Sequence, residues 1–576
     1  MSTSYRRPSD MVVAVFVLIS VLLLAASAST EDEKPGHIRQ HIDPSPFEQD
    51  DFDPNVTEYA FDAVVDHFNY RPTLEATFAL RYFVNDQYYA NRSSPVLFYA
   101  GNEADILQFV KNSGFLWEAA QQLGALIVFA EHRYYGESFP LSGNGNNKKN
   151  YTASLSPQNI SYLTVEQAMA DYNTLLQHIR SKWNMTRDAA FIVTGGSYGG
   201  NLALWLRLKN PNLWAGALAS SATPLKHLLR DSNAFNRIVA DVYGNVSTKC
   251  PEMIRSGWKE LQEKSTSDQG RSDIQQEMKL CSVPNDNPDR IVDTIHGYVA
   301  GALETMVQYG YPYPTQFYNP VPGYPFKVAC ENMLQQSTGV GALKAAAQVY
   351  YNTSGQAGPC FDWFPSSSQD NNNDQNHANQ LPPPLSFWNR IGQLDRAIAT
   401  TTPVGTTTNV ADDYTGIAWG YQCCTEVYQP MPTNGITDFE LPYTPNQKAY
   451  FEQCQRRWDG VTPRPNWEEM TFWSDNIAAG SNIFLSSGQL DPWRAAGIQS
   501  LPTGIADEQS IIVRIIEHGA HHLDLRVSHP LDPPSVIQVR KEELQAMRQW
   551  IRQWQELYPA SMSSKSSSSA SFLRHS

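Results

Sequence analysis

Short apolar runs recur along the chain, and most lead into a stretch with helical spacing. Val96–Ala100, Ala125–Glu131, Ala189–Thr194 and Trp214–Ser220 each read as a buried strand. After a long interruption, Asn482–Ser487 and Ile511–Ile516 read the same way. Asn201–Lys209 reads as a helix that Asn210-Pro211 stops, and a last long helix falls near Lys541–Leu557. Strands alternating with helices predict a mostly parallel sheet and an α/β fold. Between about 226 and 445 the pattern changes. Helical runs such as Ala342–Tyr351 there mix with aromatic and Pro-rich loops. Residues 29–60 read as an extended polar lead-in, Ser366–Pro384 as a disordered insertion and 561–576 as a disordered Ser-rich tail.

At 576 residues the chain is too long for one ordinary domain, and two or three compact units are expected. Arg6 and Arg7 precede an apolar run from Met11 to Ala26, and Ala26-Ser27-Ala28 offers a small-residue cleavage site. The run is short for a membrane span of roughly 20 residues. Residues 1–28 therefore read as a secretory signal peptide, with no membrane association after its removal. Asn55, Asn91, Asn150, Asn159, Asn184, Asn245 and Asn352 each begin a glycosylation sequon, as secretory passage would allow. The seven cysteines fit an oxidising compartment. A net charge of −15 disfavours nucleic acid as a partner.

The chemistry enters with Gly195-Gly196-Ser197-Tyr198-Gly199-Gly200, between a strand and a helix. A serine so placed is the pattern of a nucleophile elbow, where the turn is too tight for side chains at the glycines. A serine hydroxyl is a weak nucleophile and needs a base, which in turn needs an orienting carboxylate. Asp491 follows the strand at 482–487, and His518, His521 and His522 follow the strand at 511–516. Acid and histidine thus come after the serine in the order the α/β-hydrolase arrangement requires, at the sheet edge where ligands collect. No Cys or second His pair stands near these histidines, so no metal and no cofactor is expected.

Several separated segments then match one family. Gly195–Gly200, Asp491-Pro492-Trp493 and Gly519-Ala520-His521-His522-Leu523-Asp524-Leu525-Arg526 resemble the prolyl carboxypeptidase and dipeptidyl peptidase II family of serine peptidases. So do Phe98–Glu103 and Glu131–Ser138. The resemblance implies an α/β-hydrolase core in two parts, 61–225 and 446–560, interrupted by a helical cap at 226–445. It implies Ser197 as nucleophile, Asp491 as acid and His521 as base. It also implies disulfides Cys250–Cys330, Cys281–Cys360 and Cys424–Cys454, with Cys423 left over. A family cysteine expected near Pro432 is missing. The implied substrate is a peptide cut after proline near one end, and the implied address is the lysosome or vacuole, or the outside of the cell. A homodimer is left open.

The oxyanion needs two donors. The N–H of Tyr198 is the first, and Gly101, Asn102 or Glu103 is the candidate for the second. Trp493 is a candidate wall for a proline ring, against plain core packing. Asn201 and Gln429 stand where proline-cutting relatives tend to carry Met, and polar groups there suit a polar P1 side chain or a bond to substrate backbone. Glu103 would anchor a substrate amino end and Arg526 a carboxyl end. His522 and Arg526 share a face if their segment is helical, and would then support the triad. Two rival functions remain: an esterase or lipase on the same fold, and a catalytically silent binding glycoprotein.

Overall fold

The computed structural model describes residues 52 and 54–559, except 70–76, 143–150, 225–231, 286, 318, 353–358, 365–409, 473–476, 502–503 and 506–508. The signal peptide, most of the lead-in, Asn150, the Ser366–Pro384 insertion and the Ser-rich tail lie outside the described residues.

One eight-stranded sheet carries the fold, in the order β1-β2-β4-β3-β5-β6-β7-β8. Its strands are β1 (Thr57–Val64), β2 (Thr77–Asn85), β3 (Val96–Ala100), β4 (Leu126–Ala130), β5 (Phe191–Gly196), β6 (Gly216–Ser220), β7 (Ile483–Gly488) and β8 (Ile511–Ile516). β1 and β4 both pair antiparallel to β2, and all other neighbours are parallel. This is the α/β-hydrolase fold. The six strands expected from apolar runs are β3 to β8. The first two were not expected, and β1 begins inside the stretch read as an extended lead-in. β1 alternates exposed and half-buried residues, and β2 carries Arg81 within its buried run, so neither shows a plain apolar block.

The helix that follows β5, α1 (Tyr198–Lys209), is buried almost throughout, as a helix entering a sheet core must be. After β6, six helices from Ala234 to Tyr351 build a second apolar core around Trp258, Leu303 and Leu343. The fourth of them, α2 (Pro288–Gln308), starts with Pro288 at its first turn and Asn287 capping the Asp289 N–H. Disulfides Cys250–Cys330 and Cys281–Cys360 cross-link this region.

The stretch 226–445 does not pack as one body. Its late helix, α3 (Val410–Thr425), buries Ala418, Trp419, Cys423 and Cys424 in the same cluster as Leu202 and Trp205 of α1. The third disulfide, Cys424–Cys454, ties α3 to α4 (Gln447–Arg457). Cys423 is buried and stands outside the three disulfides. Conversely Trp493, from the loop after β7, packs in the cap cluster. The last helix, α5 (Pro534–Leu557), covers the sheet with Met547 and Trp550.

Candidate active site

β5 delivers the chain into the elbow. Ser197 has φ 57° and ψ −125°, a strained conformation for a residue with a side chain. The flanking glycines allow it: a Cβ on Gly195 would collide with the Gly199 carbonyl, and one on Gly199 with Asn102 Oδ1. The Asn102 amide braces the turn by donating to Gly196 O at 2.6 Å. Ser197 itself stays half-buried, while Tyr198 swings inward and is 2% exposed.

The loop after β7 presents Asp491. Its Oδ1 accepts the Trp493 N–H at 2.9 Å and its Oδ2 faces His521 Nδ1 at 2.8 Å. Asp491 is fully buried and His521 is 1% exposed, so this pair lies out of bulk water. With Nδ1–H committed to the carboxylate, Nε2 carries the ring's lone pair. The backbone around His521 is also held. Its N–H donates to Gln308 O at the end of α2, and its carbonyl accepts from the Tyr311 hydroxyl, both at 2.9 Å. The His522 ring packs on the residue before the serine, since a Cβ on Gly196 would stand 3.1 Å from it. The histidine loop and the elbow therefore meet at the C-terminal edge of the parallel strands.

Beneath that loop, Asp524 accepts from Ser220 Oγ at 2.6 Å and from Ser486 Oγ at 2.5 Å, pinning it to β6 and β7. Arg540 of α5 donates to the Leu523 and Asp524 carbonyls, each at 2.9 Å. Burial, with Asp524 beside it, pushes the Glu543 carboxyl well above the usual carboxylate range.

Other expected residues fall differently. His522 and Arg526 do not sit on an α-helix face, because they flank a 3₁₀ turn, Leu523–Leu525. His522 donates its N–H to Ser221 Oγ, and burial pushes its pKa well down, with His521 and Arg526 adding to the effect. Arg526 is 4% exposed; it donates to Asn112 Oδ1 at 2.6 Å and lies 4.7 Å over the Tyr311 ring. That guanidinium is committed inside the protein and is not placed as an anchor for a substrate carboxylate. Asn201 is also committed: Oδ1 accepts the Thr223 N–H at 2.6 Å and Nδ2 donates to Thr223 Oγ1 at 3.3 Å. It braces the loop after β6 and offers no polar contact to a P1 side chain. The Asn102 side chain serves the elbow, and the Gly101 carbonyl accepts from the Tyr172 hydroxyl at 3.1 Å. Trp493 packs edge-on against Phe235 of the cap, ring centroids 4.7 Å apart. Gln429 is buried and Glu103 half-buried. His518 is exposed beside Glu517. Among the sequons, Asn55, Asn91, Asn184 and Asn245 are exposed, and Asn159 and Asn352 are half-buried.

Two networks had no role read from the sequence. Arg81 of β2 pairs with buried Glu131 at 2.5 Å, and Glu131 also accepts from the Ile106 and Glu137 N–H groups. That network explains Glu131-His132-Arg133-Tyr134-Tyr135-Gly136 as a braced turn behind the site. His132 and Gln422 bond the Tyr198 hydroxyl, and Tyr135 bonds Gln422. A glutamine on a distant helix leaves no local signal of that contact.

The fold, the strained serine and the buried Asp–His pair define a serine hydrolase of the α/β-hydrolase class. Within that class the chain belongs to the serine carboxypeptidase S28 family, whose model matches residues 63–543. It is 33% identical to lysosomal Pro-X carboxypeptidase of Homo sapiens over 504 residues, covering 86% of this chain and 89% of the relative. It is 32% identical to the Mus musculus protein of the same description, covering 93% of this chain and 97% of the relative. Prolyl carboxy peptidase like protein 5 of Caenorhabditis elegans is 31% identical over 87% of this chain and 92% of its own length. The chain is a serine-type peptidase.

Proposed function

We propose that the chain is a serine exopeptidase that cuts peptides near a terminus, after proline or another small residue, through an acyl-enzyme on Ser197. The buried Asp491–His521 contact of 2.8 Å beside the strained elbow carries this reading. Ser197 Oγ attacks the scissile carbonyl carbon while His521 Nε2 takes the hydroxyl proton. Asp491 holds the ring's tautomer and stabilises the imidazolium. The oxyanion takes the Tyr198 N–H and a second backbone N–H from the Gly101–Glu103 turn. His521 then gives its proton to the leaving amine as the C–N bond breaks. Water repeats the sequence on the acyl ester and frees Ser197.

The preference for proline is supported by the relatives described as Pro-X carboxypeptidases. Three disulfides and the lysosomal relatives support passage through the secretory pathway to the lysosome or vacuole, or to the outside. Among the described residues no helix is long and apolar enough to cross a membrane.

A serine-directed fluorophosphonate should label the protein once, and Ser197→Ala should fold normally and take no label. Persistent labelling of that variant would refute the nucleophile. Blocked and unblocked Xaa-Pro peptides, assayed beside a p-nitrophenyl ester, decide the substrate. Release of one terminal fragment after proline is expected, and turnover of the ester alone would replace the peptidase reading with an esterase.

A further inference from the structure

Behind the elbow lies a buried polar chain that the hydrolytic steps do not use. His132, Tyr135 and Gln422 have no solvent exposure and Tyr198 has 2%. They come from the loop after β4, from α3 and from the first turn of α1. Their donors and acceptors admit one direction. His132 Nδ1 lies 2.7 Å from the Arg133 carbonyl, so Nδ1 carries the hydrogen and Nε2 accepts. The Tyr198 hydroxyl, 3.1 Å away, donates to that Nε2. The same hydroxyl oxygen accepts from Gln422 Nε2 at 3.0 Å. Gln422 Oε1 in turn accepts from the Tyr135 hydroxyl at 2.5 Å. Burial pushes the His132 pKa down to about 4, which keeps its ring neutral and able to accept. α3 makes a second contact with the same ring, Trp419 standing edge-on to Tyr198 at 5.2 Å.

Tyr198 therefore has two ends. Its backbone N–H is the oxyanion donor of the proposed reaction, and its hydroxyl is clamped at the rear. We propose that Gln422 is a positioning residue: through the Tyr198 hydroxyl, helix α3 sets the direction of the N–H that receives the oxyanion. This inference rests on the acyl-transfer reading above. It gives the late part of the insertion a task at the catalytic centre without contact with substrate. A buried hydrogen-bond chain that is fully satisfied fixes geometry in this way, whereas a broken one leaves it loose.

The test is a double-mutant cycle with Tyr198→Phe and Gln422→Met, both close in volume to the native residues. Each is expected to lower kcat about tenfold with KM unchanged, because the oxyanion contact exists only past the ground state. That is less than the roughly 10²–10³-fold loss when an oxyanion donor is removed outright. The double variant should lose about the same tenfold, since the bond the two changes share is the one from Gln422 to the Tyr198 hydroxyl. The bonds each removes besides, to His132 in one case and to Tyr135 and Glu426 in the other, do not reach the N–H. Additive losses near about a hundredfold, a rise in KM at constant kcat, or native kcat in folded Gln422→Met would overturn the clamp. Circular dichroism and fluorophosphonate titration count folded, competent sites in each preparation. Turnover that survives Ser197→Ala would instead remove the acyl-enzyme reading itself, so the two failures are distinguishable.

Discussion

The sheet and the cap hold their long-range contacts in different ways. Ser197, Asp491 and His521 follow closely on the ends of β5, β7 and β8, and a continuous parallel ladder sets the spacing of those ends. Backbone hydrogen bonds thus set the spacing of these three residues, and side chains such as Asp524 and Arg540 fix the loops beyond the strand ends. The helices from Ala234 to Tyr351 have no such ladder. They rely on an apolar cluster and on two disulfides that each join residues far apart in sequence. Packing of that kind tolerates exchange of residues of similar volume, whereas Gly195 and Gly199 of the elbow leave no room for any side chain.

Asp491 and Trp493 put this contrast on one short loop. Asp491 faces His521, and Trp493 packs in the cap cluster. Asp491→Asn should leave unfolding unchanged and lower kcat about 10⁴-fold, about 5.5 kcal/mol, by spoiling the imidazole tautomer. Trp493→Ala should do the reverse in kind: a loss of about 3–5 kcal/mol of stability from the cavity, with the labelling rate of Ser197 little changed. Chemical denaturation and fluorophosphonate kinetics on both variants check this. If the tryptophan variant lost labelling as fully as the aspartate variant, the two regions would not be separable at this loop.

The next effect in size concerns the covalent links. Replacing Cys281 and Cys360 by Ala is expected to cost about 2–4 kcal/mol, largely by freeing the unfolded chain. The loss should fall on the cap, where both cysteines lie, and peptide turnover below the melting range should persist. Replacing Cys424 and Cys454 is the sharper case, because that bridge holds α3, the helix that carries Gln422. There kcat should fall together with stability, and equal behaviour of the two bridges in kinetic assays would count against the distinction.

What could be read from the sequence follows the same division. The tight turn at Ser197 was legible because Gly195 and Gly199 are forced by backbone crowding within a few residues. β3 was legible to the residue, since a buried parallel strand is a plain apolar block, and β8 was legible despite Arg514 because its other five residues are aliphatic. β1 and β2 were not, because an antiparallel edge alternates and β2 hides an ion-paired arginine. Asn201 misled for a related reason: its position beside the elbow is local, but its partner Thr223 lies across the sheet on the loop after β6. Arg526 misled likewise, its partner Asn112 standing 414 residues away. Gln422 had no signal at all, being one polar residue in a helix whose contacts are made 224 residues away.

The smallest expected effect separates the regions by pH. Behind the sheet edge, burial lowers His132 to about 4 in the folded protein, against about 6.5 when unfolded. Both states are neutral above pH 6.5, so this contribution is complete there and is lost as pH falls toward 4. By pH 5 the loss is about 2 kcal/mol. In the cap, Glu304 of α2 moves the other way: burial, and then the Glu440 carboxylate, raise it to about 8. Below the ordinary carboxyl value both states are protonated, so this contribution is complete in acid and is lost as pH rises toward 8. Melting curves across pH should therefore fall at both ends. Glu304→Gln should reduce the alkaline limb, to which Glu543 on the sheet side also contributes, and leave the acid limb alone. His132→Asn should reduce the acid limb, to which His522 also contributes, and leave the alkaline limb alone. If either substitution flattened both limbs, sheet edge and cap would be titrating as one unit, and the separation drawn from their packing would fail.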